Sequence, residues 1–285
     1  MLNKLLKYDM KSIGRFWWII AASDIAISFV GAIALRVLLS DIYNSSLNIF
    51  MTIMMAFVVI ISIVGIIAAF LATQILIFIR FYKHFFSDEG YLTFTLPVSR
   101  KKLLLSKTIN AMFWTTLSYI LLIVTIFLFM LISPPTFEGE LLNTDLIVAI
   151  GQIFSALTEA IGLWMIVYVI EILLIFALMT LFAITLIHFC ITVGAVVAKK
   201  LKWLVAIGIY YVTNIVLSGA GQLIAFISIF IMTDGFVTYL SNSSMNVILS
   251  SVALIGLIIC AMTAAVTAIM YFITLGTIER KLNLA

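Results

Sequence analysis

The chain has 285 residues, of which 65% are hydrophobic and only 10% charged, with a formal net charge of +4. A soluble domain carries roughly 25% charged residues and cannot hide this much apolar side chain in a single core. The composition therefore excludes an ordinary soluble fold and points to lipid as the solvent. Two cysteines, Cys190 and Cys260, sit in apolar runs with no CxxC or Cys/His cluster around them, which argues against a disulfide framework or a metal site.

No linker or change of composition divides the chain, so it reads as one transmembrane domain over 1–285. A helix crossing the hydrocarbon core needs about 20 apolar residues. Long stretches poor in Asp, Glu, Lys and Arg predict an all-α polytopic membrane protein with six spans, at about 16–39, 47–80, 108–132, 163–198, 203–232 and 247–276. The apolar run from Phe16 is too long for the core of a cleaved signal peptide, and the first span is read as uncleaved.

Before that span, residues 1–13 have the pattern of a helix lying in the membrane surface. Lys4, Lys7 and Lys11 fall on one side at 100° per residue, and Leu2, Leu5, Leu6 and Ile13 on the other. Asp9 breaks the apolar side, as expected of a residue that meets protein rather than lipid. Inside the first span, Asp24 lies near mid-depth and shares a face with Ser28 and Gly31. An ionisable group inside a bilayer is a functional candidate by default. Asp24 and Ser28 either line a polar pathway or pair with another helix, and the sequence weighs these equally.

The largest segment between spans is 80–108, RFYKHFFSDEGYLTFTLPVSRKKLLLSKT. Ser87 is placed to cap a short helix that begins with Asp88 and Glu89, whose charges suit a helix N-terminus. Pro97 stops that helix, and Ser99 caps the next, which runs through Arg100–Lys102 into span 3. Tyr91, Leu92, Phe94 and Leu96 are too apolar for a solvated connector, so the short helix at about 88–95 is expected to dock on a partner or on the membrane. The basic cluster is expected to meet anionic headgroups.

Between spans 3 and 4, residues 144–160 form either an outer interfacial helix or the start of the fourth crossing. Glu171 lies about two turns inside that crossing, and a structural or interfacial role is favoured for it over a place in a pathway. His188, with Thr185 and Thr192 at spacings of 3 and 4, reads as a helix-packing hydrogen bond. On span 5, Asn214, Ser218 and Gln222 follow i, i+4, i+8. Gly219 and Gly221 beside them allow two readings: a break with 222–240 re-entrant from the outer side, or a small-residue packing site. Thr263, Thr267, Thr274 and Thr277 share an arc of span 6. These polar stripes face either a cavity or another helix.

Fifteen of the sixteen Lys and Arg residues fall before span 1, between spans 2 and 3, between spans 4 and 5, or after span 6; Arg36 is the exception. The opposite loops carry Asp41, Glu138, Glu140, Asp145 and Asp234. Basic loops stay inside, so both termini are expected in the cytoplasm. The positive charge thus belongs to a membrane surface and not to a nucleic-acid partner. Trp17, Trp18 and Trp203 at inner boundaries and Trp164 at an outer one fit headgroup-level placement. The chain has no phosphate loop, no GxGxxG, no HExxH and no GxSxG elbow, so no enzymatic activity of its own is expected.

Two segments resemble a known family. KLLKYDMK at 4–11 and RFYKHFFSDEGYLTFTLPVSRKKLLLSK at 80–107 are similar to permease subunits of bacterial ABC transporters of the type-2 (exporter) class, in a group common in Firmicutes. The stretch DEGYLTFTLPVS, 88–99, is the most specific part. The motif likeness covers about 35 residues, whereas the hydropathy pattern matches throughout. The resemblance implies a multi-pass protein of the bacterial cytoplasmic membrane, with re-entrant helices between spans 5 and 6. It makes the helix at 88–95 a coupling helix seated in a groove of a separate ABC-type ATPase, with Asp88, Glu89, Tyr91, Leu92 and Phe94 as the coupling residues. ATP and Mg would be held by that ATPase and no cofactor by this chain. Two permease subunits, as a homodimer or heterodimer, and two ATPases would form the transporter. A translocation path would draw on Asp24, Ser28, Asn214, Ser218, Gln222 and Glu171 for a hydrophobic or amphipathic cargo such as a peptide, lipid or drug. Two other readings compete: a self-sufficient secondary transporter using Asp24, and a non-transporting subunit for sensing of, or immunity to, an antimicrobial peptide.

Overall fold

The protein is described from a computed structural model, which covers residues 2–44, 48–87, 90, 95, 98–132, 144–198, 201–231 and 244–280. The described elements are seven α-helices: α1 (Leu2–Asn44), α2 (Ile49–Phe86), α3 (Arg100–Ile132), α4 (Thr144–Ile161), α5 (Trp164–Val197), α6 (Lys202–Ile231) and α7 (Met245–Arg280). All except α4 are long and apolar enough to cross a membrane. The chain is a multi-pass helical membrane protein, and the six expected spans coincide with these six helices.

Three boundaries are decided by the structure. The first is the expected surface helix at 1–13, which is no separate element, because α1 runs without a break for 43 residues. At 1.5 Å per residue that is about 65 Å, roughly twice the hydrocarbon thickness. Gly14 does not act as a hinge there. A Cβ at this position would stand 3.0 Å from the Trp114 ring, so the glycine serves close helix packing. Lys4, Lys7 and Lys11 are exposed as expected, but Asp9 and Ile13 on the other side are buried in the protein.

The second concerns 144–160, which is not the start of the fourth crossing. It forms α4, separated from α5 by Gly162, in the left-handed region at φ +58°, and Leu163. Glycine adopts that conformation at no steric cost, so the sequence breaks the helix there. The third concerns Gly219 and Gly221, through which α6 continues unbroken to Ile231. The remainder of the expected re-entrant stretch, 232–240, lies outside the described residues.

Two compact units make up the chain. One comprises Met1–Arg80 and Ile109–Leu157, the other Phe81–Thr108 and Thr158–Ala285. In the first, α1 and α2 run antiparallel. Ile27 meets Gly65, Gly31 meets Ser62, and Ser12 accepts a hydrogen bond from Arg80, so α2 numbering falls as α1 numbering rises. The helices α1 and α3 run parallel, with Gly14 against Trp114, Trp17 against Ser118 and Gly31 against Phe129. Small residues at these crossings let backbones approach, the usual basis of association in a solvent as apolar as the side chains.

In the second unit α5 packs on both α6 and α7. It is antiparallel to α6, where Gly194 admits the backbone of Ala206: a Cβ at 194 would lie 2.8 Å from the Ala206 Cα. It is parallel to α7, through Trp164 with Asn246, Tyr168 with Leu249 and Glu171 with Gly256. Leu186, Cys190 and Met270 form the buried centre, with Phe182, Phe189, Ile209, Leu217 and Val266 packed around it.

Candidate functional site

The described residues on either side of the strongest sequence motif, 88–99, belong to the second unit. On the entering side the end of α2 presents Phe81, Phe85 and Phe86, all buried, with the Phe81 and Phe85 ring centroids 4.9 Å apart. The Ser87 hydroxyl donates to the Lys83 carbonyl at 2.6 Å. Gly90 then passes so close to the end of α2 that a Cβ there would lie 2.9 Å from the Phe85 carbonyl oxygen. Its N–H donates to the Ser87 carbonyl at 2.7 Å. Gly90 and Thr95 have helical backbone. The coupling residues named from the sequence, Asp88, Glu89, Tyr91, Leu92 and Phe94, lie outside the described residues.

On the leaving side Arg100 opens α3. One of its guanidinium nitrogens donates to the carbonyls of Ile278 and Glu279, each at 2.7 Å. These carbonyls belong to the last turn of α7, where no intrahelical donor remains and the helix dipole favours a cation. Leu103 and Leu104 follow, both buried. Thr108 places its hydroxyl 3.5 Å from His188 Nδ1 and donates to the Leu104 carbonyl at 3.0 Å.

His188 is the hub of this end of the unit. Its ring stacks on Phe81 with centroids 3.8 Å apart and planes 15° from parallel. The expected helix-packing role holds, but the partners differ. Thr192 donates to the His188 backbone carbonyl, and Thr185 donates to the carbonyls of Leu181 and Phe182. A threonine in a helix can satisfy its hydroxyl on the preceding turn, so the side chain that faces His188 comes from α3.

The intramembrane candidates separate into three places. Asp24 and Ser28 are buried in the first unit, 2% and 0% exposed. Ser28 donates to the Ile25 carbonyl at 2.9 Å, while Asp24 Oδ1 is buried without a hydrogen bond. Glu171 belongs to the second unit. It is buried, Oε1 has no hydrogen-bond partner, and its carboxylate fills the notch of Gly256, where a Cβ would come 1.7 Å from Oε1. Ser218 and Gln222 are exposed on the side of α6 turned away from Ala206, Ile209 and Leu217, which face α5, and Asn214 is half-buried at the edge of that face. Asn214 donates to the Tyr210 carbonyl and Ser218 to the Ile215 carbonyl. The threonine stripe of α7 has the opposite character. Thr267 and Thr274 are buried, and all four hydroxyls donate to their own helix.

Several contributors escaped the sequence reading. Trp17 is 4% exposed and its indole N–H donates to Ser118 at 2.9 Å, whereas Trp18 is 67% exposed. Trp17 thus packs inside the protein, and Trp18 faces out of it. Trp114 completes the cluster, its ring 5.4 Å from that of Trp17. Among the described residues no group of three or more His, Cys, Asp or Glu side chains is placed to hold a metal ion. No family model, curated protein or solved structure matches the chain.

Proposed function

We propose that this chain is the membrane-spanning permease subunit of an ATP-driven exporter of the type-2 ABC class, in a bacterial cytoplasmic membrane with both termini inside. The observation that carries the reading is how the chain is fixed on either side of 88–99. Before this motif, which is rich in aromatic and acidic residues, α2 ends in three buried phenylalanines, and after it Arg100 is bonded to the end of α7. A loop that only joins two spans needs no such frame. A loop that receives force does, because displacement of a segment moves other helices only through rigid contacts. On this reading a separate ATPase binds ATP and Mg, and its closure pushes Asp88, Glu89, Tyr91, Leu92 and Phe94. The α2 and α3 ends and α7 then move together. The outward Ser218 and Gln222 on α6, with Asn214 at the edge of that face, support a second permease subunit or a path for an amphipathic cargo, since amide side chains facing lipid alone are costly.

The test is copurification with an ABC-type ATPase from the same bacterium, and transport in proteoliposomes. Asp88→Ala, Glu89→Ala and Tyr91→Ala together are expected to reduce both. Intact assembly and transport in the triple variant would overturn the reading.

One observation favours a second reading, a self-sufficient ion-coupled transporter. It is the buried, unpartnered Oδ1 of Asp24, in a protein where an isolated intramembrane carboxyl is costly. Proton-driven flux by the purified chain alone, lost in Asp24→Asn, would select it.

A further inference from the structure

The helix α4 buries almost none of itself within the protein. At 100° per residue Leu146, Ile147, Ile150, Ile153, Phe154, Leu157 and Ile161 fall in an arc of about 120°. Ile150, Ile153 and Phe154 in this arc are 47%, 61% and 59% exposed. Opposite them, Asp145, Gln152 and Glu159 recur every seventh residue in one line, with Ser155 beside it. Ile147 and Leu157 on the apolar arc are also exposed, at 53% and 43%, and Val148 is the large apolar side chain on the polar side. A patch of this kind is not left in water.

The neighbouring stretch of chain indicates what covers it. The helix is 18 residues long, and it ends at Gly162, whose N–H donates to the Thr158 carbonyl at 2.9 Å. Only Gly162 and Leu163 separate it from α5, a helix of spanning length that starts at Trp164. Leu163, Ile166 and Ile170 at that start are 84%, 61% and 61% exposed, as expected of a lipid-facing belt. The apolar face of α4 is therefore continuous in sequence with the membrane surface of α5, at a Trp-marked boundary.

We propose that α4 lies in the membrane surface at the start of α5, with its apolar arc in the headgroup–acyl boundary and Gln152, Ser155 and Glu159 in water. It has no Lys or Arg, whereas surface-seeking helices commonly use cations to attract anionic lipid. Its adsorption rests on apolar area alone and does not gain from anionic headgroups. This inference depends only on the chain being a multi-pass membrane protein and stands apart from the transporter reading.

The protein has two cysteines, Cys190 and Cys260, so Cys190→Ala with Cys260→Ala provides a background for single-site labelling of the full chain. An environment-sensitive fluorophore is attached at Ile150→Cys, Ile153→Cys or Leu157→Cys, and at Gln152→Cys, Ser155→Cys or Glu159→Cys. Each variant is required to elute as the parent does and is reconstituted in phosphatidylcholine vesicles. The first three are expected to show blue-shifted emission quenched by a lipid-borne nitroxide, and the second three emission quenched by aqueous iodide. Replacing part of the phosphatidylcholine by phosphatidylglycerol is expected to leave the nitroxide quenching without a gain. Iodide quenching at all six positions would overturn the proposal, as would cross-linking between copies at 150, 153 and 157 without nitroxide quenching. A gain of nitroxide quenching with phosphatidylglycerol would overturn its charge component.

Discussion

Arg100 and Ile278 stand 178 positions apart, yet a guanidinium nitrogen of the first lies 2.7 Å from the carbonyl oxygen of the second. The same nitrogen reaches the Glu279 carbonyl, so the first residue of α3 caps the end of α7. A charged donor at a helix C-terminus satisfies carbonyls that no backbone amide can reach and complements the helix dipole. Because the site is only partly buried, Arg100→Ala is expected to cost about 1–2 kcal/mol. The specific signature is faster amide exchange in the last two turns of α7, with α5 unchanged. Unaltered exchange there would show that the cap has no energetic weight. If the transporter reading is correct, the same variant also lowers transport relative to ATP hydrolysis by the partner.

The contact of Glu171 with Gly256 gives a second prediction. A methyl group at 256 would occupy the space of Oε1, so Gly256→Ala is expected to destabilise the α5–α7 pair by on the order of 1–3 kcal/mol. Adding Glu171→Ala, which empties the notch, is expected to restore most of that loss, because contacting residues are not additive. Thermal unfolding in detergent of the two single variants and the double variant reads the coupling. Glu171→Gln preserves the shape of the side chain and the filling of the notch, and is expected to leave stability within about 1.5 kcal/mol of the parent.

Gly31 supports the first unit in the same way. A Cβ there would lie 2.3 Å from the Ser62 Cβ and 2.9 Å from the Phe129 ring. Gly31→Ala must push α1 off α2, a loss expected at about 1–3 kcal/mol. Ser62→Gly in the same chain is expected to recover part of it, while Ser62→Gly alone lowers stability less than Gly31→Ala. Equal losses for Gly31→Ala with and without Ser62→Gly would assign the clash to Phe129 instead.

Trp17 and Ser118 test the polar part of that packing. Ser118→Ala leaves a buried indole N–H without its acceptor, at a cost of about 1–3 kcal/mol. Trp17→Phe removes the donor and keeps most of the ring. The double variant is therefore expected to lose less than the two single losses combined, with a coupling on the order of 1 kcal/mol. Strict additivity would mean the hydrogen bond contributes nothing beyond ring packing.

Charge placement and helix length carried most of what was legible from the sequence. Apolar runs between basic clusters can only be spans, so the six long helices fall where hydropathy places them. The turn at Gly162 was not legible, because the hydropathy of 144–198 is nearly continuous and one glycine in an apolar run looks like any other. Gly14, Gly219 and Gly221 are equally plain in the sequence and break nothing. What distinguishes Gly162 is the left-handed backbone adopted there.

The candidate site divides along the same line. Tyr91, Leu92 and Phe94 stand out within a polar loop by composition alone. The amphipathic reading of 1–13 held for Lys4, Lys7 and Lys11, which face away from the protein. Asp9 is buried in the protein, as its break in the apolar side implied. The reading failed for Ile13, because an apolar helix face says that something covers it but not whether that is lipid or another helix.

By itself, the sequence determined that this protein lives in lipid, with six helices of spanning length and no catalytic constellation of known pattern, because transfer free energy depends on residue type and run length alone. Only the tertiary structure decided that Arg100 caps α7, that His188 stacks on Phe81, and that Glu171 fills the space left open by Gly256. Those pairings join residues up to 178 positions apart. They depend on how helices rotate and cross, which local composition does not encode.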